Sequence, residues 1–167
     1  MTDAATAFAL REAKPGDRPA LVRFTAALNA VEHELVPDRA LGEAAADRHL
    51  AYLEGLVAQQ EGFVLVAARG ESLLGFLVAI VEEEDGHYVL PEARRFGYVT
   101  DLYVIEAARG AGVGRALMTE AEDRFRTRGL TAVRVTALAA NKEACSTYEG
   151  LGYRRLAIDF TKPLSGR

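Results

Sequence analysis

A glycine-rich loop is the segment of this sequence whose residue types and spacing most directly suggest chemistry. It reads Arg109-Gly110-Ala111-Gly112-Val113-Gly114-Arg115, between an apolar segment and an amphipathic one. A strand, glycine loop and helix in this order present free backbone N–H groups and the positive end of a helix dipole. Glycine lets an anion approach the backbone closely, and the guanidinium groups of Arg109 and Arg115 suit phosphate oxygens. The loop therefore predicts a pyrophosphate site.

Two familiar nucleotide-binding loops do not fit these residues. The Walker loop needs Gly-Lys-Ser/Thr, whereas this loop ends Gly114-Arg115-Ala116. The dinucleotide loop needs G-x-G-x-x-G, but its third glycine would fall at Arg115 or Leu117. No acidic residue follows about 20 residues later at a strand end. Taken alone, the loop is also compatible with a tight turn whose glycines serve only steric needs.

A second motif links the loop to a known family. The pattern Arg109-x-x-Gly112-x-Gly114 resembles the R/Q-x-x-G-x-G/A pyrophosphate loop of the GNAT superfamily of N-acetyltransferases, and Asp101-Leu102-Tyr103-Val104 resembles that family's central strand. Further along, the sequence is similar to the second signature, N-x-x-A-x-x-x-Y-x-x-x-G-F/Y, at Asn141-x-x-Ala144-x-x-x-Tyr148-Glu149-x-Leu151-Gly152-Tyr153. Two linked motifs in the family's order are more specific than either alone.

The resemblance implies acetyl-CoA as co-substrate, bound where the fourth and fifth strands of the sheet diverge. The main chain of the central strand would pair with pantetheine, through Leu102, Tyr103 and Val104. The pyrophosphate would lie against the loop, whose implied contacts are Arg109 and the N–H groups of Gly110, Gly112, Val113, Gly114 and Arg115. Asn141 would face the cofactor from the far side.

The resemblance also implies a direct attack of an amine on the thioester, with Tyr148 as general acid. A phenol with a pKa of about 10 can protonate a thiolate whose acid has a pKa of about 8.5 in free cysteine. Asp101 is the candidate general base, although it also suits an amine-binding or structural carboxylate. Some relatives carry Glu-Asp where this chain has Thr100-Asp101, and others carry a Glu at the position of Thr136. A water wire to solvent is the remaining alternative for the base.

Other reactive side chains give weaker signals. His33, His49 and His87 are scattered, and His33-Glu34 precedes a proline rather than continuing a metal-binding helix, so we expect no metal site. Cys145 has no histidine partner in the pattern and is interpreted as a packing residue. The acidic run 82–85 would attract a cationic amine, or it is a solubilising loop.

Hydrophobic periodicity predicts the elements that position these residues. It indicates helices over residues 19–35, 39–60, 113–128 and 141–151, and strands over residues 8–13, 63–68, 73–81, 99–105, 132–138 and 153–160. Strands joined through helices imply some parallel pairing, and the hairpin 63–81 implies antiparallel pairing. With the family resemblance, this predicts an α/β fold: a mixed, mostly antiparallel sheet of six to seven strands with helices on both faces. The long connection 82–98 is a candidate for shaping the acceptor site and for a dimer contact.

Length and composition narrow the class of protein. The 167 residues suit a single domain over 1–167, and the net charge of −4 disfavours nucleic acid as a partner. One cysteine excludes an internal disulfide, so a cytoplasmic location is expected; neither a signal peptide nor a membrane span is predicted. The sequence thus predicts an N-acetyltransferase acting on a small-molecule amine or a protein amino group. A non-catalytic acyl-CoA sensor of the same fold is the main alternative, and an NAD-dependent enzyme is a weaker one.

Overall fold

A five-stranded sheet forms the centre of the protein, and its strands lie side by side in chain order. The computed structural model describes residues 7–164. The strands are β1 (Ala9–Glu12), β2 (Phe63–Arg69), β3 (Ser72–Glu83), β4 (Arg95–Val104) and β5 (Val133–Val135). The first four pair antiparallel, and β5 runs parallel to β4. The predicted mixed, mostly antiparallel sheet is confirmed, with five strands instead of six to seven.

Helices cover both faces of this sheet. They are α1 (Arg18–Leu35), α2 (Glu43–Gln59), α3 (Pro91–Arg94), α4 (Val113–Thr127) and α5 (Lys142–Gly150). One core, here called the α1/α2-side core, comprises Leu21, Leu50, Leu53, Val66, Phe76 and Val78. The other, the α4-side core, includes Leu65, Leu77, Val99, Leu117 and Phe125. Because helices cover both faces of the sheet, β2 and β3 carry apolar residues at successive positions instead of alternating apolar and polar ones. These continuous apolar runs are the ones from which the hairpin 63–81 was predicted.

The largest differences from the predicted boundaries fall at three elements. β4 begins at Arg95, because Glu82 and Glu83 of the lengthened β3 pair with Phe96 and Arg95. The predicted helix 39–60 begins only at Glu43, after a turn in which the backbone of Gly42 has a positive φ of 89°. The predicted strand 132–138 shortens to three residues, because β5 leaves β4 after the Val99–Val135 pair.

The predicted strand 153–160 is wrong. Within the described part of the chain, residues 153–164 form neither helix nor strand. The apolar side chains at alternate positions of this segment face solvent: Leu156 is 73% exposed, Ile158 68% and Phe160 92%. Among residues 7–164, no other segment pairs with this one as a strand. No helix among residues 7–164 is long and apolar enough to cross a membrane.

Candidate active site

The outer half of β4 has one open edge. β4 pairs with β3 along most of its length, but with β5 only at Gly97, Tyr98 and Val99. The N–H of Ile105 donates to Leu74 on the β3 side at 2.9 Å. Because neighbouring residues of a strand point their backbone groups to opposite sides, those of Leu102 and Val104 point into the gap left by β5. An extended amide-bearing ligand could pair there as an added strand does.

The same alternation turns the backbone groups of Tyr103 toward β3, where this residue lies opposite Phe76. Its side chain packs on the α1/α2-side core, 5.5 Å from the ring of Phe24 between centroids. Of the three main-chain contacts that the resemblance implied, two therefore have their donors and acceptors in the gap. The third, Tyr103, supports the strand from within the sheet.

A β-bulge in β4 decides which face Asp101 occupies. Val78 lies opposite Asp101 and Ala79 lies opposite Val99, so Thr100 is an extra residue in the ladder. Val99 belongs to the α4-side core, and Leu102 packs against that same core although it is three residues further on. The bulge has therefore reversed the alternation, and Asp101 faces helices α1 and α2 instead of α4. Its carboxylate is buried there, with 7% of the residue exposed.

The glycine loop forms an open, uncapped helix N-terminus. Gly112 is the N-cap of α4 in the left-handed conformation, with φ 82°, and no side chain among residues 7–164 caps the helix. Gly110 also has a positive φ, 76°, and a Cβ at either glycine would meet nothing within 4 Å. The first N–H groups of α4 therefore lie free beneath open space, next to the open edge of β4. This donor set fits a pyrophosphate, so the residues present suit the acetyl-CoA that the resemblance implied.

The two arginines of the loop contact the neighbouring elements. The Nε of Arg109 donates to the carbonyl of Val104 at 3.3 Å, and its Nη1 lies 4.0 Å from the carboxylate of Glu143. The Nη2 of Arg115 donates to the carbonyl of Gly150 at 3.4 Å. These long, exposed contacts hold both guanidinium groups between α4, β4 and α5. They join the loop to the helix that carries the second motif.

Asn141 caps that helix. Its Oδ1 accepts the N–H of Ala144 at 3.0 Å, as an N-cap side chain does. The amide oxygen is therefore already bonded within the protein. The contact with the cofactor that the resemblance implied would have to be made by the Nδ2 group. In this position Asn141 fixes the start of α5 and, through it, the place of Tyr148.

Tyr148 lies on the inner side of α5. Its ring packs against the α4-side core and meets the ring of Tyr153 edge-on, with 6.0 Å between centroids. Burial, together with the nearby carboxylates of Asp101 and Glu32, raises the pKa of Tyr148 to about 12. The phenol is thus protonated throughout the physiological pH range. Tyr148 can donate a proton, and it cannot serve as a base near neutrality.

The structure adds a residue that the sequence analysis left aside. The Nε2 of His49, on α2, lies 3.3 Å from the Oδ1 of Asp101. This contact, opposed by partial burial and helped by the charge of Asp101, raises the pKa of His49. The sequence held one usable signal: His49 lies three residues after Ala46 and four before Leu53, on the buried stripe of α2. A polar side chain on such a stripe needs a partner.

Other candidates have structural partners. The hydroxyl of Tyr98 donates to Thr136 at 2.9 Å, and His33 contacts the carbonyl of Arg39 at 2.7 Å. In the acidic run, Glu84 forms an ion pair with Arg134 at 3.0 Å. Cys145 is half-buried, with its thiol 3.8 Å from the carbonyl of Leu138. Within residues 7–164, no three His, Cys, Asp or Glu side chains come together as metal ligands.

Sequence comparison finds a family whose sequence model matches most of the residues of the candidate site. The sequence model of the Acetyltransferase (GNAT) family matches residues 28–153, which include β4, the glycine loop and α5. Mycothiol acetyltransferase from Renibacterium salmoninarum is 30% identical over 115 residues, which are 66% of this chain and 32% of that protein. The chain thus spans about a third of the length of this relative.

Comparison with solved structures finds the same architecture. A variant of the BH1408 protein from Bacillus halodurans superposes with a TM-score of 0.79 at 20% identity, covering 93% of this chain and 99% of that one. A GCN5-related N-acetyltransferase from Ralstonia eutropha JMP134 gives a TM-score of 0.73 at 26% identity, covering 96% and 100%. The fold is therefore the acyl-CoA N-acyltransferase fold that the resemblance implied.

Proposed function

This chain belongs to the acetyltransferase (GNAT) family, and we propose that it moves the acetyl group of acetyl-CoA to a primary amine. The observation that carries the proposal is the meeting of three features at one place. The open edge of β4 at Leu102 and Val104, the glycine N-terminus of α4 at Val113 and the protonated phenol of Tyr148 all adjoin the α4-side core, and we take them to border one gap. We treat residues 1–167 as a single catalytic domain of this kind.

Acetyl-CoA would be held by the main chain on both sides of this gap. Leu102 and Val104 offer backbone N–H and carbonyl groups to the pantetheine amides. The N–H groups of Val113, Gly114 and Arg115 would bind the pyrophosphate, and Arg109 and Arg115 would exchange their weak carbonyl contacts for phosphate oxygens. When bound, the cofactor supplies an acetyl group already activated as a thioester.

The side chains of the site supply the proton transfers. Tyr148 holds a proton on its hydroxyl oxygen, and we assign that proton to the leaving sulfur. Asp101 lies on the opposite face of the sheet edge, where its buried carboxylate attracts the ammonium form of the acceptor. Glu32, whose charge also acts on Tyr148, is paired with Arg39 at 3.1 Å, so Asp101 supplies the main negative charge on the acceptor side. A cationic amine, either a small molecule or a protein amino group, is therefore the proposed acceptor class.

A homodimer in the cytoplasm is the proposed working form. Large apolar side chains are exposed in two segments of the described chain. Tyr88 and Leu90, in the connection between β3 and β4, are 90% and 66% exposed. The segment 154–160 exposes three more, and β5 is an edge strand of the sheet among the described residues. A second copy of the chain would cover both kinds of surface.

Thermal unfolding with acetyl-CoA, CoA, NADH and ATP in parallel tests the cofactor. A ligand at about 100 times its Kd stabilises a protein by roughly 2.7 kcal/mol, which is a Tm increase of several degrees. We expect acetyl-CoA and CoA to raise Tm and the other two to leave it unchanged. An increase with NADH or ATP alone would overturn the assignment.

Turnover is tested by following release of the CoA thiol with a panel of amines. We expect release that depends on both acetyl-CoA and an amine. Binding of acetyl-CoA without release for any small amine or lysine-containing peptide would favour the non-catalytic acyl-CoA sensor instead. The two measurements therefore separate the cofactor from the reaction.

A further inference from the structure

His49 of α2 and Asp101 of β4 form a pair, although the two residues are 52 positions apart in the chain. The side chain of Asp101 is 7% exposed, whereas that of His49 is 39% exposed. The carboxylate is therefore buried at the bulge of β4, and the imidazole lies between it and solvent. Such an arrangement gives one member a fixed position and the other a path for protons to bulk water.

The geometry also fixes which nitrogen of the ring is free. The Nε2 of His49 faces the Oδ1 of Asp101, so in the neutral ring this nitrogen carries the hydrogen and donates it. Among the described residues, none hydrogen-bonds to the Nδ1. A carboxylate that binds one ring nitrogen leaves the other as a proton acceptor and stabilises the imidazolium formed when it accepts.

The charged and titratable groups around the ring favour this role. Asp101 approaches from β4 and Glu32 from α1, while Tyr52 of α2 stacks on the ring at 6.5 Å. Glu32 is itself paired with Arg39 at 3.1 Å, so Asp101 is the dominant negative charge. The charges of Asp101 and Glu32 raise the pKa of both His49 and Tyr148. The histidine and the phenol therefore lie near the same two carboxylates.

We propose that His49, held by Asp101, accepts the proton that the acceptor ammonium must lose before it attacks. This inference rests on the proposed acetyl transfer. The ammonium gives one proton to the Nδ1 of His49, and the nitrogen lone pair then forms the new N–C bond. The electron pair of the C–S bond leaves on sulfur, which takes a proton from Tyr148, and the amide nitrogen returns its second proton to Tyr148. The products are the amide, the CoA thiol and an imidazolium that loses its proton to solvent.

Variants of the pair test this assignment through the pH dependence of the rate. Because only the neutral ring accepts a proton, kcat should fall as the pH is lowered through the raised pKa of His49. His49→Gln keeps an amide donor for Asp101 but has no basic nitrogen. We expect it to lower kcat by about 100-fold or more, with little change in the KM for acetyl-CoA, and to remove this acidic limb. Asp101→Asn should move the limb to lower pH, because the lost carboxylate no longer raises the pKa.

His33→Gln is the matched control, since His33 lies on α1 and its Nδ1 contacts the carbonyl of Arg39 at 2.7 Å. We expect it to keep the wild-type rate and pH profile. An NMR titration of the His49 ring, in free wild type and in Asp101→Asn, measures the coupling without turnover. A lower pKa of the ring in Asp101→Asn supports the pair, and an unchanged one overturns it.

The outcomes separate this inference from the proposed function. An active wild type whose His49→Gln variant keeps its rate and acidic limb would overturn the role of His49 alone. A wild type that binds acetyl-CoA but acetylates no amine would overturn the proposed function. The Tm of each variant, measured alongside, shows whether a lost rate reflects a lost fold.

Discussion

The phenol of Tyr148 and that of Tyr153 are 6.0 Å apart between ring centroids, yet they are bound differently. Tyr153 donates to the carboxylate of Glu122 at 2.7 Å, and burial with this contact raises its pKa. The pKa of Tyr148 is raised mainly by burial, and its hydroxyl has no such partner among the described residues. One hydroxyl is thus bound within the protein, and the other is the one that we propose as the proton donor.

We expect Tyr148→Phe to lower kcat by about 100- to 10,000-fold while acetyl-CoA binding stays close to that of the wild type. The variant removes the proton donor and leaves the main-chain contacts of β4 and α4 intact. Steady-state kinetics and a binding titration measure the two effects. A Tyr148→Phe variant with wild-type turnover would remove this residue from the acid role.

Tyr153→Phe is the matched variant for this pair. It removes a hydrogen bond to a charged group, which is worth about 1.5–3 kcal/mol, so we expect a lower Tm. Because Tyr153 does not supply the transferred proton, its kcat should remain near the wild-type value. We therefore expect Tyr148→Phe to lower kcat and Tyr153→Phe to lower Tm.

Asp17 provides a prediction about stability and pH. Arg11 donates to both of its carboxylate oxygens, at 2.6 and 2.9 Å, and the N–H of Lys14 adds a third bond at 2.8 Å. The hydrogen bond from Arg11 lowers the pKa of Asp17 below its ordinary 3.8, against the opposing effect of burial. The stabilisation is therefore fully present above pH 3.8 and is lost as the pH falls through the lower, folded pKa.

We expect Asp17→Asn to reduce the free energy of unfolding by about 1–3 kcal/mol at neutral pH. The difference from wild type should shrink when the pH is lowered into the acidic range. Chemical denaturation at several pH values measures this. Asp123→Asn serves as the control: its pair with Arg126 is exposed on α4, so it should cost less than about 1 kcal/mol. A constant Asp17→Asn difference down to strongly acidic pH would contradict the assignment.

At the scale of elements, the two ends of α4 offer a matched test of the cofactor site. Gly112 starts the helix with φ 82°, and Gly129 follows its end with φ 78°; a Cβ at either meets nothing within 4 Å. Glutamate at either position therefore carries similar backbone strain. Only the first would place a carboxylate over the free N–H groups.

We expect Gly112→Glu to abolish acetyl-CoA binding and Gly129→Glu to bind it normally, with similar losses of stability in both. Isothermal titration with acetyl-CoA and a thermal scan of each variant supply the comparison. Normal binding by Gly112→Glu would contradict the placement of the pyrophosphate at this loop.

These elements also show how far the sequence could predict the structure. The helix after the glycine loop was predictable because Val113, Leu117, Ala121 and Phe125 mark one face by their own spacing. The bulge at Thr100 was not, because an extra residue in a ladder depends on how β3 and β4 pair. The face of Asp101 and its partner His49 depend on that pairing. The family motifs therefore indicated Tyr148 and Asp101 but could not show which residue would join them.

At the scale of the whole molecule, the sheet separates two halves of the site. α1 and α2 lie on the face that contains Asp101 and His49, whereas α4 and α5 lie on the face that supports Tyr148. β5 leaves β4 beyond the Val99–Val135 pair, and we propose that the two sets of side chains meet in the gap that this opens. In this proposal the acceptor approaches from the α1/α2 face of the sheet, and the cofactor enters at the open edge of β4. The divergence of β4 and β5 would therefore let side chains from both faces act at one site.

The exposed segment 154–160 yields the last prediction, which concerns assembly. Leu156, Ile158 and Phe160 alternate as in a half-buried strand but have no strand partner within the described residues. If a second copy covers them, the wild type should have twice the 18.1 kDa mass of one chain in light scattering after gel filtration. We expect serine at all three positions to give a monomer with unchanged acetyl-CoA binding and a smaller Tm.

Serine at both Tyr88 and Leu90 tests the other exposed segment in the same way. A dimer that persists in the first variant and dissociates in the second would move the interface to the connection between β3 and β4. A monomeric wild type at high concentration would contradict the homodimer itself. In that case, the three serines should change the free energy of unfolding by less than about 0.5 kcal/mol each, because exposed side chains without partners contribute little to folding.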